Sequence, residues 1–201
     1  MLWDASAING FSLQAKDGEL GSVSDLLFDK DRWSLRWLVV ETGIWPLDRK
    51  RDLPLSAVGS PDFVTRAFKS DQTLDGLGAN SSADEHASRE NDPQLKSVKS
   101  LVGYAVVATN GAIGHVENVL VDEQDLAIRF LTVHTADWWP GVKVLVAPSS
   151  ITSVDAEARC VTLDLDIETV KAAPVFDAAT TLDGVADAKF LTYFGIRWVE
   201  S

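Results

Sequence analysis

The sequence predicts an all-β protein made of two small β-barrels in tandem, with short C-terminal helical segments. Two observations lead to this prediction: one residue pattern occurs twice, and each copy consists of short runs in which apolar and polar side chains alternate. The predicted boundaries are 1–72 for the first barrel, 73–98 for a flexible linker, 99–174 for the second barrel and 175–201 for a tail with a short helix.

The repeat holds one register along most of its length. Gly103 lies 93 residues after Gly10 (103 − 10), and Asp122 lies 93 residues after Asp29 (122 − 29). A period of this length is too long for a solenoid and indicates a duplicated domain. Other pairs at the same register are Gly18 and Gly111, Gly21 and Gly114, Val23 and Val116, Arg36 and Arg129, and Thr42 and Thr135.

Each copy is predicted to hold five strands. In the first copy, 11–15 and 20–28 form a hairpin around a glycine-containing turn. The third strands, 34–41 and 127–134, are rich in β-branched and aromatic residues. Closure of such short strands into a barrel would remove their exposed edges. The fourth and fifth strands are 143–148 and 159–167, matched in the first copy by 52–55 and 63–68.

The segments outside the two copies have a different composition. Residues 74–97 are polar and hold too few apolar side chains to offset the entropy of ordering, which predicts a flexible linker. After the second copy, 167–174 suggests one helical turn that ends at Pro174, and 183–194 suggests a short helix.

Charge and hydropathy restrict the partners and the compartment. The formal net charge is −12, which disfavours binding to nucleic acid or to anionic membrane surfaces. No stretch approaches the roughly 18 uninterrupted apolar residues of a membrane span, and the start of the chain lacks the pattern of a signal peptide. We therefore expect a cytoplasmic protein without a membrane span.

The residues that could carry chemistry form no recognisable catalytic or metal motif. The histidines, His86, His115 and His134, do not show metal-ligand spacing, and Cys160 occupies a strand position without a second cysteine. Neither a Gly-x-Ser-x-Gly elbow nor a phosphate-binding glycine loop occurs in a suitable context. The sequence predicts no enzyme, no metal and no cofactor.

Tryptophans are the first group of candidate interaction residues. Trp45 corresponds to Trp138 by the repeat, and Trp138 and Trp139 are adjacent in a predicted loop. These aromatic side chains could cover the barrel mouths, pack the two modules on each other, or anchor a partner, and the sequence leaves the three interpretations open. Trp37 alternates with apolar strand residues and is predicted to fill the first barrel.

A basic tripeptide is the second candidate. Arg49, Lys50 and Arg51 are adjacent in a predicted loop of an otherwise acidic chain. Such a group is either a solvated turn or a docking site for an acidic partner.

Residues 21–29 and 114–122 each combine a glycine, a valine, an apolar triplet and an aspartate. In these runs, and in 54–58 and the aromatic tail 190–198, the chain resembles the PRC-barrel family. This family includes the cytoplasmic domain of the photosynthetic reaction-centre H subunit and the C-terminal domain of a ribosome maturation factor. The sequence shows no segment that matches the membrane helix of the first or the preceding domain of the second, so we expect that neither role carries over. The resemblance implies a barrel whose outer surface docks onto a larger assembly.

The function that we expect is a non-catalytic protein–protein adaptor with an unidentified protein partner and possible self-association. One alternative is a small-ligand-binding protein that uses a barrel mouth or the cleft between modules. By family analogy alone, a second alternative is an assembly or electron-transfer accessory of a photosynthetic reaction centre. An enzyme is the weakest interpretation.

Overall fold

The computed structural model describes residues 2–42, 49–79, 86, 88–89, 91–135 and 142–172. These residues are mostly β, which confirms the predicted class. In chain order the strands are β1 (Leu2–Asp4), β2 (Ser12–Ala15), β3 (Gly18–Asp29), β4 (Ser34–Thr42), β5 (Arg49–Pro54), β6 (Ala67–Lys69), β7 (Leu95–Ser97), β8 (Ala105–Ala108), β9 (Gly111–Asp122), β10 (Ile128–His134), β11 (Lys143–Val146), β12 (Ile151–Asp155) and β13 (Cys160–Leu163).

The helical elements are short. They are α1 (Leu74–Ala79), α2 (Val98–Leu101) and α3 (Ile167–Ala172), with 3-10 turns at Leu55–Ala57 and Pro148–Ser150. Helix α3 confirms the helical turn predicted near residue 167. Residues 173–201, which include the second predicted helix, lie outside the described part of the chain. No helix in the described ranges is long and apolar enough to cross a membrane.

The chain divides into two compact units. Asp4–Lys99 and Asp125–Ala127 form the first unit, and the second contains the other described residues. The sheet of the first unit has the strand order β5-β4-β3-β2-β6, and β7 pairs with β3 beside this path. Its core face carries Leu26, Leu38 and Leu53 in one row across β3, β4 and β5. All three side chains are fully buried, and each contributes about 1.5–3 kcal/mol.

The second unit has a sheet of the order β11-β10-β9-β8-β13-β12, with β1 paired to β9. Its core face carries Val119, Leu131 and Val146 in one row, and these side chains are also fully buried. Each member of this row lies 93 residues after a member of the leucine row in the first sheet. The two core rows therefore occupy positions that are related by one constant spacing.

Glycines at matching positions also have matching surroundings. A Cβ atom on Gly21 would collide with the backbone carbonyl of Glu41, and one on Gly114 would collide with the carbonyl of His134. The long strands β3 and β9 therefore need glycine where they pass close to the ends of β4 and β10.

Two predictions about segments of the first unit differ from the structure. Residues 73–98, predicted to be a flexible linker, include α1 and β7, and Leu77 in α1 is fully buried. Residues 63–66, predicted to begin a strand, form a turn before β6. Within the described ranges the strand pairings form an open path in each sheet, and the closed barrels stay a prediction.

Candidate functional site

The predicted interaction tryptophans cannot be placed. Trp45, Trp138 and Trp139 lie outside the described residues. Their three interpretations stay predictions.

The basic tripeptide lies in a strand and not in the predicted loop. Arg49, Lys50 and Arg51 open β5, where Lys50 pairs with Glu41 of β4, and this pairing is the reason that the loop prediction was wrong. Neighbouring strand residues point to opposite faces. Lys50 is exposed, whereas Arg51 is partly buried and donates a hydrogen bond of 3.2 Å to the Gly78 carbonyl in α1. Arg51 therefore serves a contact within the first unit.

The outer face of β3, β4 and β5, opposite the leucine row, carries a row of three residues. Asp25, Val39 and Asp52 are register partners, and we call this surface the clamp face. Trp37 lies on the same face, so the prediction that it fills the barrel core was wrong. Apolar residues occupy both faces of β4, and alternation alone does not indicate which of two buried faces meets the core.

Asp52 is the most deeply buried charge of the clamp face. Its side chain has 0% exposure, and its Oδ1 lies 2.6 Å from His86 Nδ1. Arg89 Nη1 lies 3.6 Å from the other carboxylate oxygen, Oδ2. The Arg89 guanidinium also stacks over the Trp37 ring at 3.8 Å from its centroid. The carboxylate of Asp52 thus holds two residues of the segment that was predicted to be a flexible linker.

Asp25 holds the other end of the same segment. The Ser97 hydroxyl donates to Asp25 Oδ2 at 2.5 Å, and the Lys99 backbone N–H donates to Oδ1 at 3.0 Å. The second bond satisfies a free N–H in the first turn of α2. Burial raises the pKa of the Asp25 carboxyl above its ordinary value, against the opposite effect of these hydrogen bonds. Together, Asp25 and Asp52 fasten the described residues of 86–99 to the first sheet.

The second sheet has no charge in the matching row. Asn118, Thr132 and Leu145 are register partners and lie 93 residues after Asp25, Val39 and Asp52. The carboxylates therefore stand only in the sheet that the segment 86–99 covers. Sequence reasoning missed this site, although the exchange of an apolar residue for Asp52 between the two copies is visible once they are aligned.

A turn on the first unit presents apolar side chains to solvent. The Asp62 turn, residues 62–66, is fixed by Asp62 Oδ1, which accepts hydrogen bonds of 3.0 Å from the N–H groups of Val64 and Thr65. These bonds lower the pKa of Asp62 to about 2. At the tip, Val64 is 94% exposed and Phe63 is 45% exposed. The Phe63 ring packs edge-on against Phe11 at 5.5 Å between ring centroids.

The second unit has a turn of the same geometry but different chemistry. In the Asp155 turn, residues 155–159, Asp155 Oδ1 accepts hydrogen bonds of 2.9 Å from the N–H groups of Glu157 and Ala158. Arg159 adopts a φ of 49° and stacks on Tyr104, as Arg66 adopts 52° and stacks on Phe11. The exposed tip is Ala156 and Glu157, where the Asp62 turn has Phe63 and Val64.

No protein-family model matches the chain, and no curated protein matches its sequence. Within the described ranges, no group of three or more histidine, cysteine, aspartate or glutamate side chains is arranged to hold a metal ion.

Proposed function

We propose that this chain is a non-catalytic protein–protein adaptor built from two copies of one PRC-type module, and that the Asp62 turn contacts its protein partner. The observation that carries the proposal is the exposure of Val64, at 94%, beside the half-exposed ring of Phe63. Isolated apolar residues are common on protein surfaces, but these two stand together on a turn whose backbone is already fixed.

A fixed turn favours binding because less conformational entropy is lost when the partner docks. Asp62 accepts hydrogen bonds from two backbone N–H groups of the turn, and the Phe11 ring packs against the ring of Phe63. Val64 and Phe63 would enter a pocket on the partner as anchor residues, because buried apolar anchors supply most of the affinity of such contacts.

The charges around the Asp62 turn indicate which charge the rim of the partner's pocket should carry. Asp62, Arg66 and Lys69 give this region one net positive charge, although the whole chain carries −12. Lys69 Nζ lies 3.4 Å from Asp62 Oδ2, and the exposed Arg66, whose guanidinium stacks on Phe11, is the second cation that a partner would meet. We therefore propose an apolar pocket with an acidic rim on the partner.

The short connection between β11 and β12 supports a PRC-type barrel as the form of each module. Strands β11 and β12 are the two ends of a six-strand path, and five spacings of about 4.8 Å would separate them by roughly 24 Å in a flat sheet. Val146 and Ile151 are joined by five residue steps, which reach about 18 Å at most. This shorter reach supports a sheet that curls so that its two edges approach each other. A hydrogen bond of 2.8 Å from Gly59 N–H to the Lys69 carbonyl supports the same curl in the first unit.

The matching positions of the two turns, Val64 and Glu157, provide an experiment with an internal control. We would place a photo-crosslinking amino acid at position 64 or at position 157 of the full chain and irradiate the cells that naturally express it. The proposal predicts a discrete protein adduct from position 64 that is absent from position 157. The double substitution of Phe63→Ala and Val64→Glu should abolish co-purification of the same partner.

Two results would contradict the adaptor proposal. One is the same adduct pattern from both positions, which would indicate random collisions. The other is no adduct from position 64, together with a small molecule that stays bound in native mass spectrometry, which would favour the ligand-binding alternative.

A further inference from the structure

Two histidines of the second unit, 19 residues apart in sequence (134 − 115), are brought together by strand pairing. His115 of β9 and His134 of β10 are direct register partners. Their ring centroids are 5.3 Å apart, and the planes are inclined by 35°. His115 is exposed and His134 is partly exposed, so an ion in solution can reach the pair.

We propose that His115 and His134 together bind a divalent transition-metal ion, with water in the remaining coordination positions. A zinc–nitrogen bond of about 2.0–2.1 Å places an ion roughly 3.2 Å from the centre of an imidazole ring. Two rings that share one ion can therefore have centroids up to roughly 6.4 Å apart, and the observed 5.3 Å lies within this limit. Imidazole ligands select zinc, copper or nickel over magnesium and calcium.

The polar groups around the pair support a ligand there. His134 Nδ1 is buried and has no hydrogen-bond partner within the described residues, and Glu117 Oε2 is in the same condition. A buried polar atom without a partner costs about 1–3 kcal/mol, so binding that supplied a partner would be favoured. The Glu117 carboxylate, which follows His115 by two residues on β9, adds negative charge to this strand, and its Oε1 accepts a hydrogen bond of 2.8 Å from Lys143 Nζ.

The pair is specific to the second unit. The positions 93 residues earlier are Ser22 and Glu41, which are also register partners. The remaining histidine, His86, uses its Nδ1 at Asp52 of the first unit. His86 therefore serves as a control histidine for metal titrations.

The test is a titration of the full chain with zinc alone, in which isothermal calorimetry measures the affinity and the number of ions bound. We expect one zinc ion per chain and an affinity that falls at least about tenfold in His115→Gln and in His134→Gln, because either change removes the chelate effect of two linked ligands. His86→Gln should leave the zinc affinity unchanged. Circular dichroism without zinc would confirm that each variant is folded.

Two further measurements probe the location and the metal class. Lys143→Met should strengthen zinc binding, since it removes a positive charge beside His134 and releases Glu117. Magnesium should not compete at concentrations that saturate zinc. The proposal is overturned if the wild-type chain binds no zinc, if the two histidine variants bind as tightly as the wild type, or if Lys143→Met leaves the affinity unchanged.

Discussion

The buried contact between Asp52 and His86 makes a quantitative prediction. In His86→Leu, the carboxylate of Asp52 loses a contact of 2.6 Å and keeps, among the described side chains, Arg89 at 3.6 Å, which is beyond a good hydrogen bond. A hydrogen bond to a charged group contributes about 1.5–3 kcal/mol, and removal of one member of a buried ion pair costs about 3–5 kcal/mol. His86 retains 13% exposure, so we expect a loss near the lower end, about 3 kcal/mol in the free energy of unfolding.

A second substitution should reverse most of this loss. Asp52→Leu introduces the residue that stands at the matching position of the second sheet, Leu145. Replacing a buried ion pair by apolar residues is often neutral, because no uncompensated charge remains. Arg89 keeps its contact with Trp37 and can extend toward solvent. We expect the double variant to lie within about 1 kcal/mol of the wild type, which corresponds to a coupling of at least about 2 kcal/mol.

Urea denaturation, monitored by circular dichroism, measures the unfolding free energies of the wild type, the two single variants and the double variant. Hydrogen exchange of peptides from β4 and β5 would locate the effect in the first unit. Lys50→Leu is the matched control, because it alters an exposed residue of the same strand and should change the unfolding free energy by about 0.5 kcal/mol or less. A loss below about 1 kcal/mol in His86→Leu, or additive effects of the two substitutions, would refute the argument from a buried charge.

Two more predictions concern the glycines and the second buried carboxylate. Gly114→Ala should cost about 2–4 kcal/mol, because its Cβ would collide with the His134 carbonyl, whereas Gly10→Ala, with a φ of 79° and open space around it, should cost only about 1 kcal/mol. Equal shifts of the two thermal midpoints would contradict the steric explanation. Burial raises the pKa of the Asp25 carboxyl, so the wild type loses stability as the pH rises through this raised pKa. Asp25→Asn keeps the shape of the side chain but cannot ionise, so its stability does not fall in this way. The unfolding free energy of Asp25→Asn relative to the wild type should therefore increase as the pH rises above about 4, and a constant difference would contradict this account.

The elements of the fold were largely predictable from local sequence. Alternating side chains and glycine-containing turns predicted the hairpin of β2 and β3, since both signals act within a few residues. The spacing of 93 residues also relates the members of the two buried core rows, and the duplication itself stays a prediction. The turn at 63–66 was missed because Asp62 fixes it through its side chain, an effect that β propensity does not include.

The candidate sites were less predictable, because each depends on contacts between distant residues. The composition of 73–98 correctly indicated few apolar side chains, but buried carboxylates on another segment hold His86 and Ser97. The spacing of His115 and His134 in sequence carries no metal signal, and only the register of β9 and β10 makes them neighbours.

Local patterns in the sequence were sufficient to predict the β class and the positions of most strands. Contacts between distant residues set which face of β4 meets the core, what covers the opposite face, and which polar side chains become neighbours across strands. This difference arises because side-chain alternation is a local property with a period of two residues. Burial and cross-strand pairing, in contrast, join residues that lie tens of positions apart, and no local pattern records them.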